Sequence, residues 1–94
     1  MTPYVIEEGH LDAVELLLGR VPEFDIPPTI DDIRFRIKDV PHLILTAHAE
    51  GLPVGFKIGY EREGRFYSWL GGVDDRFRQR GIASHLADYQ EQWA

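Results

Sequence analysis

Pro41 divides the chain into two stretches with different hydrophobic periods, and an all-helical or all-strand fold cannot accommodate both. Before it, Leu11, Val14, Leu18 and Val21, joined by Leu17, recur at helical spacing, with Asp12 and Glu15 on the other face. This predicts an amphipathic helix from His10 that ends near Arg20, before Pro22. Pro3 to Glu7, with Val5 and Ile6, predicts a short strand ahead of it, and Glu23 to Pro28 reads as a connector. Thr29-Ile30-Asp31-Asp32 has the form of a capping box, in which the threonine oxygen accepts a backbone N–H and the Asp32 carboxylate reaches back. Ile30, Ile33, Ile37 and Val40 make the apolar stripe of the helix it opens, and Arg34, Arg36 and Lys38 its wet face.

After Pro41 the period becomes two. His42 to Ala49 is rich in strand formers, Glu50-Gly51 is a turn, and Pro53 to Tyr60 alternates Val54, Phe56, Ile58 and Tyr60 against Gly55, Lys57 and Gly59. Arg62-Glu63-Gly64 is a second turn, and Arg65 to Val73 a third strand. From Gly81 a last helix begins, with Ile82, Leu86, Tyr89 and Trp93 as its stripe. The predicted order is β-α-α-β-β-β-α, an α/β (α+β) chain with a mainly antiparallel sheet. It contains no internal repeat.

Ninety-four residues make one small domain. The absence of cysteine excludes disulfides and thiolate metal sites. Residues Met1 to Gly9 carry Glu7 and Glu8 and no long apolar core, unlike a secretory signal, and no apolar run is long enough to span a membrane. A cytoplasmic location is the expectation. The net charge of −6 argues against nucleic acid as a partner. Charge is uneven, however: Arg76, Arg78 and Arg80 fall at alternate positions beside Asp74 and Asp75, which suits a small anion better than a polyanion.

Between the last strand and the last helix, Gly71-Gly72-Val73 gives way to this arginine-bearing turn, and Gly81 and Ala83 open the helix. The first N–H groups of a helix lack intrahelical partners and lie at the positive end of its dipole, so they form a cradle for a pyrophosphate. Small side chains let phosphate approach the backbone, and Arg78 and Arg80 offer charge-assisted contacts. Neither G-x-G-x-x-G nor G-x-x-x-x-G-K-[ST] is present.

What is present, in Arg78-Gln79-Arg80-Gly81-Ile82-Ala83, is R-x-x-G-x-A, placed after the fourth strand and opening a helix. With the segments GFKIGY, FYSWLGGV, RQRGIA and YQEQW, it resembles the [QR]-x-x-G-x-[GA] signature and surroundings of the GNAT superfamily of acyl-CoA N-acyltransferases. The resemblance implies residues 1–94 as a single GNAT-like domain. It ends in the helix after the CoA loop, before the C-terminal strands and helix of the full fold, and Trp93-Ala94 stops that helix without a glycine cap. It also implies acetyl-CoA as co-substrate, with the pantetheine arm along Leu70, Gly72 and Val73. The pyrophosphate would lie at Arg78, Gln79, Arg80, Gly81, Ile82, Ala83 and Ser84. An amine would attack the thioester directly in a ternary complex, with a strand amide near Val73 polarising the carbonyl. Two departures bear on catalysis. Many members carry a basic carboxylate in mid fourth strand, where this chain has Ser68 and Trp69, and the tyrosine acid common beyond the fifth strand would lie past Ala94.

The remaining polar candidates read mostly as structure. His42 and His48, six residues apart on one strand, are separated by about 20 Å, so one ion cannot bridge them and no metal is expected. His85 sits near the proposed phosphates but reads as an exposed helix residue. Glu50, Glu61 and Glu63 fall at strand ends, where solvation explains them. Tyr67 and Trp69 read as packing residues on a face also placed to line an acceptor pocket. Gly71 and Gly72 fit a bulge or a close ligand approach equally well. The Phe66 to Val73 edge, aromatic and uncharged, predicts self-association or completion by another polypeptide. A non-catalytic CoA-binding or protein-interaction domain derived from the family is the alternative function, and the acceptor is not legible.

Overall fold

The computed structural model describes residues 3–21, 28–78 and 81–93. The order is β1 (Val5–Glu8), α1 (Leu11–Leu18), α2 (Ile30–Ile37), β2 (His42–Ala49), β3 (Leu52–Arg62), β4 (Arg65–Val73), a 3-10 turn at Asp75–Phe77 and α3 (Ile82–Trp93). This is the predicted order, with β2 and β4 at the expected bounds. The strands form one antiparallel sheet in chain order, β1-β2-β3-β4, with β1 and β4 at its edges. Both hairpins turn on pairs with positive φ, Glu50-Gly51 (53° and 79°) and Glu63-Gly64 (54° and 76°), a combination whose twist matches that of paired strands. Glu50 and Glu63 therefore serve as turn residues. The connector segment 22–27 lies outside the described residues.

Helices cover both faces. Val14, Leu17 and Leu18 of α1 and Ile33 and Ile37 of α2 pack on Phe56, Ile58 and Tyr60 of β3. On the opposite face Ile82 and Leu86 of α3 pack with Leu43, Leu45, Ala47 and Val73. The capping box of α2 forms as expected, with Asp32 N–H donating to Thr29 Oγ1 and Thr29 N–H to Asp32 Oδ2, both at 3.1 Å.

Two packing expectations differ from what is observed. In the β2–β3 ladder Ala47 pairs with Gly55 and His48 with Pro53, so Val54 is an extra residue in a bulge. Its side chain joins the cluster under α3 instead of the Phe56 face. In α3 the inner row is Ile82, Leu86 and Gln90, whereas Trp93 is 39% exposed and packs at the margin against Phe66, with ring centroids 5.4 Å apart. Gln90 reaches the sheet because β3 presents a glycine beneath it. A Cβ on Gly59 would lie 2.6 Å from Gln90 Nε2 and 2.3 Å from Phe66 Cζ. Gly55 does the same for the start of α3, where Ile82 Cγ2 lies 3.3 Å from the position of its missing Cβ.

Gly59→Ala should destabilise the protein by about 1–3 kcal/mol through overpacking under α3. Gly19→Ala, at a position with negative φ and nothing within 4 Å of the added methyl, should be neutral or slightly stabilising. Urea unfolding of the two variants beside the parent chain measures both.

Candidate functional site

At the outer edge of the sheet the β3–β4 ladder shifts register. Ile58 pairs with Leu70 and Gly59 with Ser68, which leaves Trp69 as the extra residue. A bulge bends its strand. Below the bend β4 runs toward the start of α3, and a cleft of about 540 Å³ opens between them. That volume is in the range that holds a small-molecule ligand.

Eight of the ten residues singled out in the sequence line this cleft: Leu70, Gly72 and Val73 from β4, Arg78 from the turn, and Gly81, Ile82, Ala83 and Ser84 at the opening of α3. Gln79 and Arg80 lie outside the described residues. Sequence reasoning missed the contribution of β3, whose Phe56 and Lys57 also line the cleft, and of Phe77 and Leu86. The alternation of β3 marked Lys57 as opposite in face to Phe56, but nothing in one strand's pattern says which neighbour it overlooks.

Each small residue has its own reason. Gly81 has φ +79°, a left-handed conformation that favours glycine, while nothing lies within 4 Å of where its Cβ would be. The space in front of the helix is open. His85 N–H bonds to Gly81 O at 3.0 Å, so the helical ladder starts there and the N–H groups of Ile82, Ala83 and Ser84 have no intrahelical acceptor. Gly72 is different. A Cβ there would lie 2.6 Å from Val21 Cγ1, so packing against the chain after α1 leaves no room for a side chain, and the β4 bulge falls at Trp69 instead. A Cβ on Gly71 would stay in ordinary contact with Lys57, at 3.4 Å from its Cγ, but 3.3 Å from Phe56 O.

The turn between β4 and α3 is held by Asp74. This carboxylate is buried, accepts from Arg76 N–H at 3.0 Å and is gripped by the Arg76 guanidinium, Nε to Oδ1 at 3.2 Å and NH2 to Oδ2 at 3.0 Å. Asp74 N–H donates to Val54 O at 2.8 Å, which fixes the turn to the bulged end of β3. The side-chain hydrogen bond from Arg76 holds the Asp74 carboxyl below the usual carboxylate range. Arg76 is thus a structural partner. Arg78, 3.7 Å from Asp75 Oδ1, lines the cleft with Lys57. Among the described lining residues there is no carboxylate and no histidine, so the cleft carries positive charge and helix N–H groups.

The other candidates fall elsewhere. The His85 ring lies 3.1 Å from the Tyr4 hydroxyl through Nδ1 and does not line the cleft. Glu50, Glu61 and Glu63 are exposed and away from it. Tyr67 stacks on Tyr60 at 5.5 Å, Trp69 meets Tyr60 edge-on at 6.0 Å, and the Arg36 guanidinium lies 5.2 Å over the Trp69 ring. Trp69 therefore joins the α1/α2 core to the rim of the cleft.

The family model for the acetyltransferase (GNAT) domain matches residues 42–90, which contain β2, β3, β4 and most of α3. The chain belongs to the GNAT superfamily of acetyltransferases. Its fold is similar to that of the ribosomal-protein-S18-alanine N-acetyltransferase from Escherichia coli, with a TM-score of 0.79 at 14% identity over 94% of this chain. The chain spans 57% of the length of that enzyme. It is also similar to a GNAT family acetyltransferase from Staphylococcus aureus (TM-score 0.68, 13% identity, 99% of this chain and 78% of the other). A third is the ribosomal-protein-alanine N-acetyltransferase from Brucella melitensis biovar Abortus (0.66, 24%, 96% and 70%). At these identities the likeness speaks for the fold. No curated protein sequence matches the GNAT chain significantly.

The depressed Asp74 pKa makes its contribution to stability complete above the unfolded carboxylate value of about 3.9, and lost as the pH falls through the folded value. The difference in urea midpoint between the parent and Asp74→Asn should be widest near neutrality and close below about pH 4. A difference unchanged down to the acid limit of the fold would show that the charge of Asp74 contributes nothing.

Proposed function

We propose that the cleft between β4 and α3 binds acetyl-CoA, and that the protein acts in transfer of its acetyl group to a primary amine. The observation that carries this reading is the convergence of an edge strand, bent away at Trp69, with an open helix N-terminus flanked by Lys57 and Arg78. In this reading the outer edge of β4 at Leu70, Gly72 and Val73 meets the amide groups of the pantetheine arm. The N–H groups of Ile82, Ala83 and Ser84 donate to the pyrophosphate, with Arg78 and the loop residues Gln79 and Arg80 beside it. The amine nitrogen attacks the thioester carbonyl carbon within a ternary complex. The C–N bond forms as the C–S bond breaks, a base takes the ammonium proton, and the departing thiolate gains one. Two of the neighbours are named for alanine acetylation on ribosomal proteins, which supports an amine as the acceptor class. No described helix is long and apolar enough to cross a membrane.

One observation favours the second reading, a domain that binds CoA without turnover. No described residue of the cleft offers a carboxylate or imidazole as the base. Calorimetry with acetyl-CoA should give saturable binding, lost in Ala83→Glu, whose carboxylate would occupy the phosphate position at an exposed helical site without disturbing the fold. Release of CoA thiol on adding a panel of amines then separates enzyme from binder. A folded chain that fails to bind acetyl-CoA overturns both readings.

The sheet edge at Phe66 to Val73 carries a further proposal. In this reading residues 1–94 act as one GNAT-like unit, and a second copy of the chain covers the part of the unpaired β4 side that acetyl-CoA leaves free, from Phe66 to Ser68. Sedimentation equilibrium should show a dimer that Ser68→Pro, which removes a backbone donor and stiffens the edge, drives toward monomer. A monomer at all concentrations for the parent chain removes this proposal and leaves the cleft unaffected.

A further inference from the structure

The opposite edge of the sheet holds a cluster for which the acyl-transfer reading has no use. β1 passes into α1 through Gly9 and His10, both left-handed, with φ values of 96° and 69°. Gly9 N–H donates to Ile44 O at 2.8 Å, and His10 O accepts from the N–H groups of Ala13 and Val14, so the corner is fixed from both sides. A non-glycine residue in this conformation is uncommon, although histidine is among those that adopt it more readily. The consequence is that the His10 ring is thrown back over the edge of the sheet. There it meets His48 of β2, ring centroids 5.2 Å apart at 75°, and Glu7 of β1, with Nε2 3.0 Å from Glu7 Oε1. His48 Nε2 in turn lies 3.7 Å from the same Glu7 oxygen.

We propose that Glu7, His10 and His48 bind a divalent first-row transition-metal ion, with Zn²⁺ as the reference ion. Each residue offers one ligand atom, and the three atoms lie within 4.8 Å of one another. Ligands about 2.0–2.2 Å from a tetrahedral ion stand roughly 3.3–3.6 Å apart, so closure asks for a shift of about an ångström. The half-exposed side chains of Glu7 and His10 have the room to make it. His48 is the fixed member. It is 15% exposed, and its Nε2 lies 2.9 Å from the hydroxyl of the fully buried Thr46. In the tautomer in which Nε2 accepts from that hydroxyl, the proton is on Nδ1, and the Nε2 lone pair passes to the ion in exchange for one neutral hydrogen bond.

Two imidazoles and a carboxylate suit Zn²⁺, Cu²⁺ or Ni²⁺ and are poor ligands for Mg²⁺ or Ca²⁺. Three protein ligands leave a fourth position for water, which is reached from the open cleft lined by Tyr4, Val5, Glu50 and Gly51 around the cluster. The sequence paired His42 with His48 and excluded an ion between them. The folded chain pairs His48 instead with His10, thirty-eight positions away in sequence, while His42 sits at the other end of β2 with Nδ1 3.0 Å from Val40 O. A bound ion would tie the corner before α1 to β2 and so clamp the edge strand β1.

The test uses the untagged 94-residue chain. Calorimetric titration with ZnCl₂ should give one ion per chain, and Co²⁺ should give the visible bands of four-coordinate geometry. His10→Asn, which tolerates the left-handed backbone, and His48→Gln, which keeps a partner for Thr46, should each weaken Zn²⁺ binding by at least about tenfold. His42→Ala should leave it unchanged. Circular dichroism of the metal-free variants checks that each remains folded. No saturable Zn²⁺ binding by the parent chain, retention of binding in either cluster variant, or an equal loss in His42→Ala would each overturn the site.

Discussion

Helix α3 lies against β3 at two glycines, and a methyl group at either would meet it. At Gly55 the contact is with Ile82 and at Gly59 with Gln90 and, from β4, with Phe66. This close seating sets the height of the helix above the sheet, and through it the distance between the first turn of α3 and the end of β4. The cleft lies in that gap. The Asp74–Arg76 pair then fixes the turn that joins its two walls, and Asp74 N–H anchors the turn to Val54 O, in the bulge of β3. Backbone spacing, a buried carboxylate held by an exposed arginine and a strand irregularity thus act on one small volume.

Much of this was legible before any coordinates. The change of period at Pro41, the capping box at Thr29 and the glycine turns each act within a few residues, so spacing alone reveals them. The helix start from Gly81 to Ser84 was legible for a related reason, because the glycine and small residues that open a helix fall at consecutive positions. What sequence could not supply were features set by a partner distant along the chain. Val54 turns to the α3 face because the β2 ladder accommodates an extra residue there. Gln90 replaces Trp93 in the inner row because Gly59 lies under it. Gly72 is small on account of Val21, and His10 meets His48 through a corner whose left-handed residue no periodicity announces.

The two edges of the sheet have opposite characters. β4 presents a bent edge beside a cationic cleft, whereas β1 ends in a corner that gathers two imidazoles and a carboxylate. Membership of the GNAT superfamily accounts for the first and is silent on the second. The Tyr60, Tyr67 and Trp69 aromatics, with Arg36 over the last, connect the α1/α2 core to the β4 side, so a change in that packing would reach the rim of the cleft through Trp69.

Strand order equal to chain order also has a kinetic consequence. β2, β3 and β4 are joined by two tight turns, and their pairing closes only short loops, which carries little entropic cost. β1 must instead find β2 across the whole α1–α2 segment, and Val14 and Leu17 of α1 lack their sheet surface until Phe56 and Ile58 are in place. As the chain leaves the ribosome α1 and α2 therefore wait, with the sheet-facing side of their apolar stripes uncovered, for a meander that has not yet been synthesised.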